Sequence, residues 1–234
     1  VVTCDITVTN PNAVFKSTSG AAITTAASES LNNCLYDNGS GWGIDKMVLY
    51  DSYDFTEYVV SHGSQNYHCY DATLYRSIPA NTWCSLVIPF WPTASSLTRV
   101  YPSAFSDNTL TFSTLEKNTG CWNDEPMLIK SSSALTSIVG RRDGTYGSGV
   151  TYGDNSITAG DVTMNGTYTD ITNVNDLSGT NYVLGTDNKL HKVNSAVNLA
   201  PFRAYFSIPE DSPVKANVIA LNFGDTATGI AEIE

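Results

Sequence analysis

Cations are scarce in this sequence: 12 Lys and Arg stand against 23 Asp and Glu among 234 residues, for a formal charge of -11. An acidic body repels phosphate backbones and anionic lipid, so neither nucleic acid nor a membrane surface is expected as a partner. Long apolar runs are missing too. The densest, Leu86 to Trp91, carries Pro89 and falls far short of the roughly 18 to 20 apolar residues of a membrane-spanning helix. No membrane insertion is expected.

Cysteine is sparse and unpatterned. Cys4, Cys34, Cys69, Cys84 and Cys121 fit no zinc-site spacing and no Cys-x-x-Cys redox pair. The expectation is buried small hydrophobes, with a Cys34 to Cys69 disulfide as the pairing to test if the protein is exported. The three histidines, His62, His68 and His191, stand outside any His-x-x-x-His or His-Glu-x-x-His pattern and read as surface or strand residues. No nucleophile elbow, phosphate-cradling Gly-Lys loop or dinucleotide fingerprint occurs, so no cofactor is expected. Two loops, Asp37 to Asp45 and Gly153 to Val162, place oxygen side chains near calcium-like spacing, but each lacks part of the ligand set. Helix signals are limited to Ser28 and Ser103, each of which could cap a turn or two.

What remains is Thr and Ser, at 27 and 25 residues, and short segments rich in Val, Ile, Thr, Tyr and Phe with an apolar period of two. Expected strands are Thr3 to Thr9, Lys46 to Tyr50, Asp71 to Ile78, Trp83 to Phe90, Thr109 to Leu115, Pro126 to Lys130, Asp161 to Thr169, Asn181 to Leu184, Lys189 to Val193, Phe202 to Ile208 and Val218 to Phe223. Trp83 to Phe90 is apolar on both faces and reads as a central strand. In Phe202 to Ile208 the residues Phe202, Ala204, Phe206 and Ile208 share one face. Asp187-Asn188 reads as a tight hairpin turn. The Gly-rich stretch 140–160 reads as a long loop. The pattern predicts one all-β domain over residues 1–234, an antiparallel β-sandwich of jelly-roll type with a few short helical turns. Its expected core includes Trp83, Leu86, Ile88, Phe90, Phe202, Phe206, Leu221 and Phe223.

Carboxylates cluster at Asp51 with Asp54 and at Asp124 with Glu125. Paired carboxyls about 5 to 9.5 Å apart serve glycoside hydrolysis, but sequence adjacency does not create that placement. These residues read first as acidic turns. Trp42, in Gly-Ser-Gly-Trp-Gly, and Trp122, in Thr-Gly-Cys-Trp-Asn-Asp, fall where loops are expected. A loop Trp closes a sandwich end or, if exposed, offers a stacking platform for a sugar ring or an anchor for a protein. Trp42 and Trp122 are therefore the candidate ligand-binding residues, and no catalytic or metal residue is assigned.

An ordered series of segments carries a resemblance. Ala72-Thr73-Leu74-Tyr75-Arg76 followed by Trp83-Cys84-Ser85-Leu86-Val87-Ile88-Pro89-Phe90 comes first, then Pro126 to Lys130, Asn165-Gly166-Thr167-Tyr168, Asn181 to Lys192, Phe202-Arg203-Ala204-Tyr205-Phe206 and Gly224 to Ile230. It resembles a pattern of large secreted and cell-surface proteins of the Bacteroidales. Ser85 replaces their usual Thr, and Asp124-Glu125 stand where Gly-Lys often precedes the proline. The resemblance implies an extracytoplasmic, non-catalytic β-sandwich module, structural or ligand-binding, with further domains in the same polypeptide. It also implies continuation beyond Glu234 toward a sorting segment, and the abrupt start at Val1 suggests a trimmed N-terminus. A carbohydrate-binding or adhesin-like module contacting glycan or a surface protein is the alternative, and a glycoside-processing enzyme the third reading. A cleft holding two carboxyls would favour the enzyme; a flat strip of exposed aromatics would favour binding.

Overall fold

The computed structural model describes residues 8–17, 20–21, 23–24, 31–37, 39, 41–55, 67–94, 96–114, 124–142 and 155–224. These residues form sixteen strands: β1 (Phe15–Lys16), β2 (Cys34–Asp37), β3 (Trp42–Tyr50), β4 (Tyr67–Ile78), β5 (Cys84–Leu86), β6 (Trp91–Pro92), β7 (Leu97–Ser106), β8 (Thr109–Ser113), β9 (Met127–Ser131), β10 (Leu135–Arg142), β11 (Ser156–Ala159), β12 (Val162–Thr167), β13 (Thr180–Leu184), β14 (Lys189–Lys192), β15 (Arg203–Ile208) and β16 (Val218–Asn222). One 3₁₀ turn, Val174–Asp176, is capped by Asn173, whose side chain accepts from the Asn175 N–H at 3.1 Å.

The protein is all-β, with two sheets. Six strands run in the order β1-β2-β3-β4-β10-β6 and ten in the order β11-β12-β15-β13-β14-β16-β8-β7-β9-β5. Most neighbours are antiparallel, as expected, but β1 with β2, β3 with β4 and β16 with β8 are parallel. The ten-stranded sheet curls until its far elements meet: β5 lies against β15, where Ser85 Oγ accepts from the Ala204 N–H at 3.1 Å, and β11 lies against β7. Inside this curl sits one apolar core that includes Trp83, Leu110, Phe112, Leu128, Met164, Tyr182, Phe206 and Ile219. A second core, including Leu35, Ile44, Met47, Leu74, Phe90, Met127, Ile129 and Phe202, lies between the curl and the six-stranded sheet. Strand β9 serves both, since its alternation sends Leu128 into one core and Met127 and Ile129 into the other.

Several expectations change on contact with this architecture. Trp83 to Phe90 is not one central strand. Pairing stops at Leu86, because Pro89 has no N–H for a ladder, and the buried connector satisfies its backbone elsewhere. The Val87 N–H donates to Phe202 O at 3.3 Å, Ile88 O accepts from the Asp124 N–H at 2.9 Å, and Pro89 O accepts from Arg142 at 2.8 Å. The expected loop 140–160 yields strand at both ends, in β10 and β11, and residues 143–154 lie outside the described residues. Ser103 lies in β7 and caps nothing, while Ser28 and the segment Thr3 to Ile6 and Thr7 lie outside the described residues.

Phe202 also departs from its expected face. Its φ of +60° turns the chain ahead of β15, so its ring enters the inter-sheet core while Ala204, Phe206 and Ile208 enter the curl. Such a conformation is unfavourable for a bulky residue. It is pinned here by three hydrogen bonds, from its N–H to Thr167 O and to its O from Val87 N–H and Arg76, and by rings of Phe55 and Tyr168 at 6.1 and 5.7 Å. Six of the eight expected core residues are buried; Leu221 and Phe223 are half-buried, with Phe223 stacked on Trp83 at 4.3 Å.

A Cys34 to Cys69 disulfide is ruled out by the sheet. Leu35, Ile44 and Cys69 are level across β2, β3 and β4, so two interstrand steps, about 9.6 Å, separate the outer strands. That exceeds the reach of a disulfide, about 7 Å between Cα atoms, and alternation turns Cys34 to the face opposite Cys69. Both are free thiols, as is Cys84.

Candidate functional site

The acidic clusters read from the sequence are occupied structurally. Asp51 pairs with Arg203 at 3.0 Å, and Asp54 Oδ1 accepts from the Asp170 N–H at 2.7 Å. Asp124, buried and held at φ +75°, accepts from the Tyr168 hydroxyl at 2.6 Å and from Arg142 at 3.4 Å. The buried Arg142 guanidinium also lies over the Tyr67 ring at 4.1 Å. Glu125, next in the chain, is different: its Oε2 is buried without a hydrogen-bond partner, and burial pushes its carboxyl up to about 7.

His191 meets Asp187 at 2.9 Å across the expected hairpin turn, where Asn188 has φ +58°, and this contact lowers the Asp187 carboxyl. His62 lies outside the described residues, as does Trp122. Among the described residues no group of three His, Cys, Asp or Glu side chains is gathered as a metal ion would require.

Trp42 is described, and it is the first residue of β3 rather than a loop residue. Its ring is half-buried at the margin of the inter-sheet core, with the Lys16 ammonium 4.5 Å from its centroid. Strands β3 and β4 turn Ile44, Met47, Leu49, Cys69, Ala72 and Leu74 inward, and the side chains they leave exposed include tyrosines beside Asp45, Lys46 and Asp71. Tyr70 is 73% exposed, Tyr75 47%, Tyr53 44% and Tyr50 38%. Tyr50 and Tyr75 are register partners on β3 and β4, with rings 5.1 Å apart and 18° from parallel. His68 and Tyr70, two residues apart on β4, stack at 6.0 Å and 16°. Tyr70 and Tyr75 stand about 16 Å apart along β4, so the two aromatic pairs lie at either end of a strip that also carries Asp71 and Thr73.

The strip ends in a cavity of about 330 Å³ lined by Tyr36, Gly41, Trp42, Gly43, Ile44, Asp45, His68 and Tyr70. Tyr36, Gly43 and His68 are level across β2, β3 and β4. The Tyr36 hydroxyl donates to Asp45 Oδ1 at 2.7 Å, and this bond, with burial, raises the Tyr36 phenol. Another hollow, of about 460 Å³, lies by Thr163, Ser178, Ser207 and Glu210. Among the described residues, Asp45 is the carboxylate lining the first cavity and Glu210 the one lining the second.

The backbone beneath Tyr50 is supported in an unusual way. Strand β2 covers the edge of β3 at Trp42 to Ile44, and farther along two asparagines take its place. The Asn33 carboxamide donates to Val48 O at 2.9 Å and accepts from the Val48 N–H at 2.8 Å. The Asn12 carboxamide does the same for Tyr50, at 2.8 and 2.7 Å, and also donates to Tyr53 O at 2.6 Å. Both are buried, and Asn33 sits at φ +57°, a conformation asparagine tolerates. Each side chain therefore imitates the peptide group of an absent neighbouring strand.

The sequence reading missed the tyrosine strip. Its signal was present in β4, where Thr73, Tyr75 and Ser77 alternate with Ala72, Leu74, Arg76 and Ile78. The inward set contains Arg76, buried and hydrogen-bonded to Phe202 O at 2.8 Å, which blurs the apolar face. Comparisons of the chain with protein-family models, with curated proteins and with solved structures find no significant match.

Proposed function

We propose that this chain is a non-catalytic binding module of an extracytoplasmic surface protein of Bacteroidales type, and that it engages carbohydrate through the outer face of the six-stranded sheet. The observation that carries this reading is the set of exposed tyrosines at positions 50, 70 and 75 on β3 and β4, with Tyr53 exposed in the turn that follows β3. Large aromatic rings left in water on one sheet face are costly to solubility unless something covers them. Tyr combines an apolar face for a ring's C–H groups with a hydroxyl for its polar rim. The acidic body disfavours polyanions as the occupant, and the ordered resemblance to Bacteroidales surface proteins supports the location.

The test is binding of soluble neutral polysaccharides, measured by affinity electrophoresis and calorimetry, to the intact chain and to a Tyr50→Ala/Tyr70→Ala/Tyr75→Ala variant. Losing three platforms worth about 1 kcal/mol each should weaken binding by roughly a hundredfold. Absence of any neutral glycan ligand, or a ligand retained undiminished by the triple variant, would overturn the reading. Capture of a protein partner by the tyrosine face instead would identify the module as an adhesin.

A further inference from the structure

Gly43 lines the cavity on the outer face of the sheet. Gly43 lies within β3 between two paired strands, a position where glycine weakens a sheet and a β-branched residue would serve better. Other glycines here have a structural reason. A Cβ on Gly140 would come within 2.1 Å of Trp91 O, and one on Gly166 within 2.8 Å of the Val87 side chain, while Gly179 needs a φ of +82°. Among the described residues Gly43 shows no such reason: its φ is not left-handed, and the neighbour a Cβ would meet there is His68 O at 3.7 Å, an ordinary contact. What the missing side chain leaves is open floor between Tyr36 and His68.

We propose that this floor is a subsite for a single neutral pyranose residue of the glycan, an inference that rests on the carbohydrate reading of the outer face. At about 330 Å³ the cavity is at the small end of ligand sites, suited to one ring or two. One wall is aromatic, the near-parallel rings of His68 and Tyr70. The other is an oxygen pair, Tyr36 Oη donating to Asp45 Oδ1. Asp45 accepts from sugar hydroxyls, and the Tyr36 oxygen, its proton committed to Asp45, accepts as well. A wall of acceptors selects a hydroxyl-bearing ring, and the Asp45 carboxylate rejects a uronate or sialic acid by like-charge repulsion.

The experiment uses the full chain with Gly43→Ala and Gly43→Val, probed with neutral oligosaccharides (glucan, mannan, galactan and xylan fragments) and with oligogalacturonate. Gly43→Ala should fold with unchanged or higher melting temperature and bind the preferred neutral fragment severalfold more weakly. Gly43→Val should weaken it tenfold or more, and if Val disturbs folding the Ala variant decides. Asp45→Asn should lose affinity for the neutral fragment and narrow the discrimination against oligogalacturonate. Neutral binding that is weakened by the tyrosine variant but untouched at position 43 sinks the subsite and spares the wider reading. Preference for oligogalacturonate overturns the subsite, and absence of all glycan binding overturns both.

Discussion

The two cores of this protein are built from different materials. Within the curl of the ten-stranded sheet, strand alternation delivers hydrocarbon and aromatic side chains from nearly every strand, as with Leu110, Met164, Phe206 and Ile219. Around the six-stranded sheet the apolar residues are joined by buried Asn12, Asn33, Arg76 and Arg142, which hydrogen-bond to backbone that no strand covers, and by buried Asp124, which accepts from Tyr168 and Arg142. A hydrocarbon core asks for volume and shape, and tolerates exchanges that preserve them. A core stitched by side-chain amides and guanidinia asks for particular atoms at particular places, because each buried group left without its partner carries its full desolvation cost.

Four changes should break or sharpen that contrast. The largest effect is expected at Arg142. Arg142→Met removes the guanidinium from Pro89 O and leaves Asp124 a buried charge held by Tyr168 alone, and denaturant titration should show a loss of about 3 to 5 kcal/mol. An unchanged midpoint would mean that Asp124 is solvated. Next comes Asn33→Leu, close in volume but unable to pair the Val48 peptide; about 2 to 4 kcal/mol should be lost, with Val48 amide exchange accelerated beyond that of Leu49.

By contrast, Ile219→Val within the curl should cost about 0.5 to 1.5 kcal/mol. A larger loss there than at Asn33 would reverse the distinction. The smallest effect concerns Glu125. Its carboxyl titrates near 7 when folded against 4.5 ordinarily. The folded state therefore holds the proton more tightly, and stability falls as pH rises from about 4.5 through 7. Because the residue is partly exposed, the slope should amount to about 1 kcal/mol. Glu125→Gln should remove it, leaving stability at pH 4.5 unchanged and raising it at pH 8.

The same division accounts for part of what could be read in advance. In the curl, β8 and β15 follow plain alternation, and the expected bounds of β8, β12, β13, β14 and β15 fall within a residue or two of the observed ones. Strands β1, β2, β6 and β10 of the six-stranded sheet were missed, and so were β7 and β11 of the curl. Cys34-Leu35-Tyr36-Asp37 is too short to display a period, and β10 ends in Gly140, Arg141 and Arg142, residues that read as a loop until Arg142 is seen to be buried. At the site, Trp42 was legible as an aromatic of interest but not as part of a cavity. That cavity exists through register, with Tyr36, Gly43 and His68 brought level from segments up to 32 residues apart, as 68 minus 36. Period-two patterning along one strand carries no information about which residues of two others will stand beside it.

Strand β16 has a consequence for the order in which the molecule can be assembled. It joins β14 on one side and β8 on the other, bringing Leu221 level with Leu110. Every other strand of the large sheet precedes it in the chain. During synthesis the sheet must therefore wait as two separate pieces, β11-β12-β15-β13-β14 and β8-β7-β9-β5, each with an open edge where β16 will enter. Such a long-range closure is slow, and an uncovered edge invites pairing with another chain. Val218 to Asn222 thus acts as the closing stitch of the fold, and its late arrival sets the interval in which a nascent copy is most exposed to its neighbours.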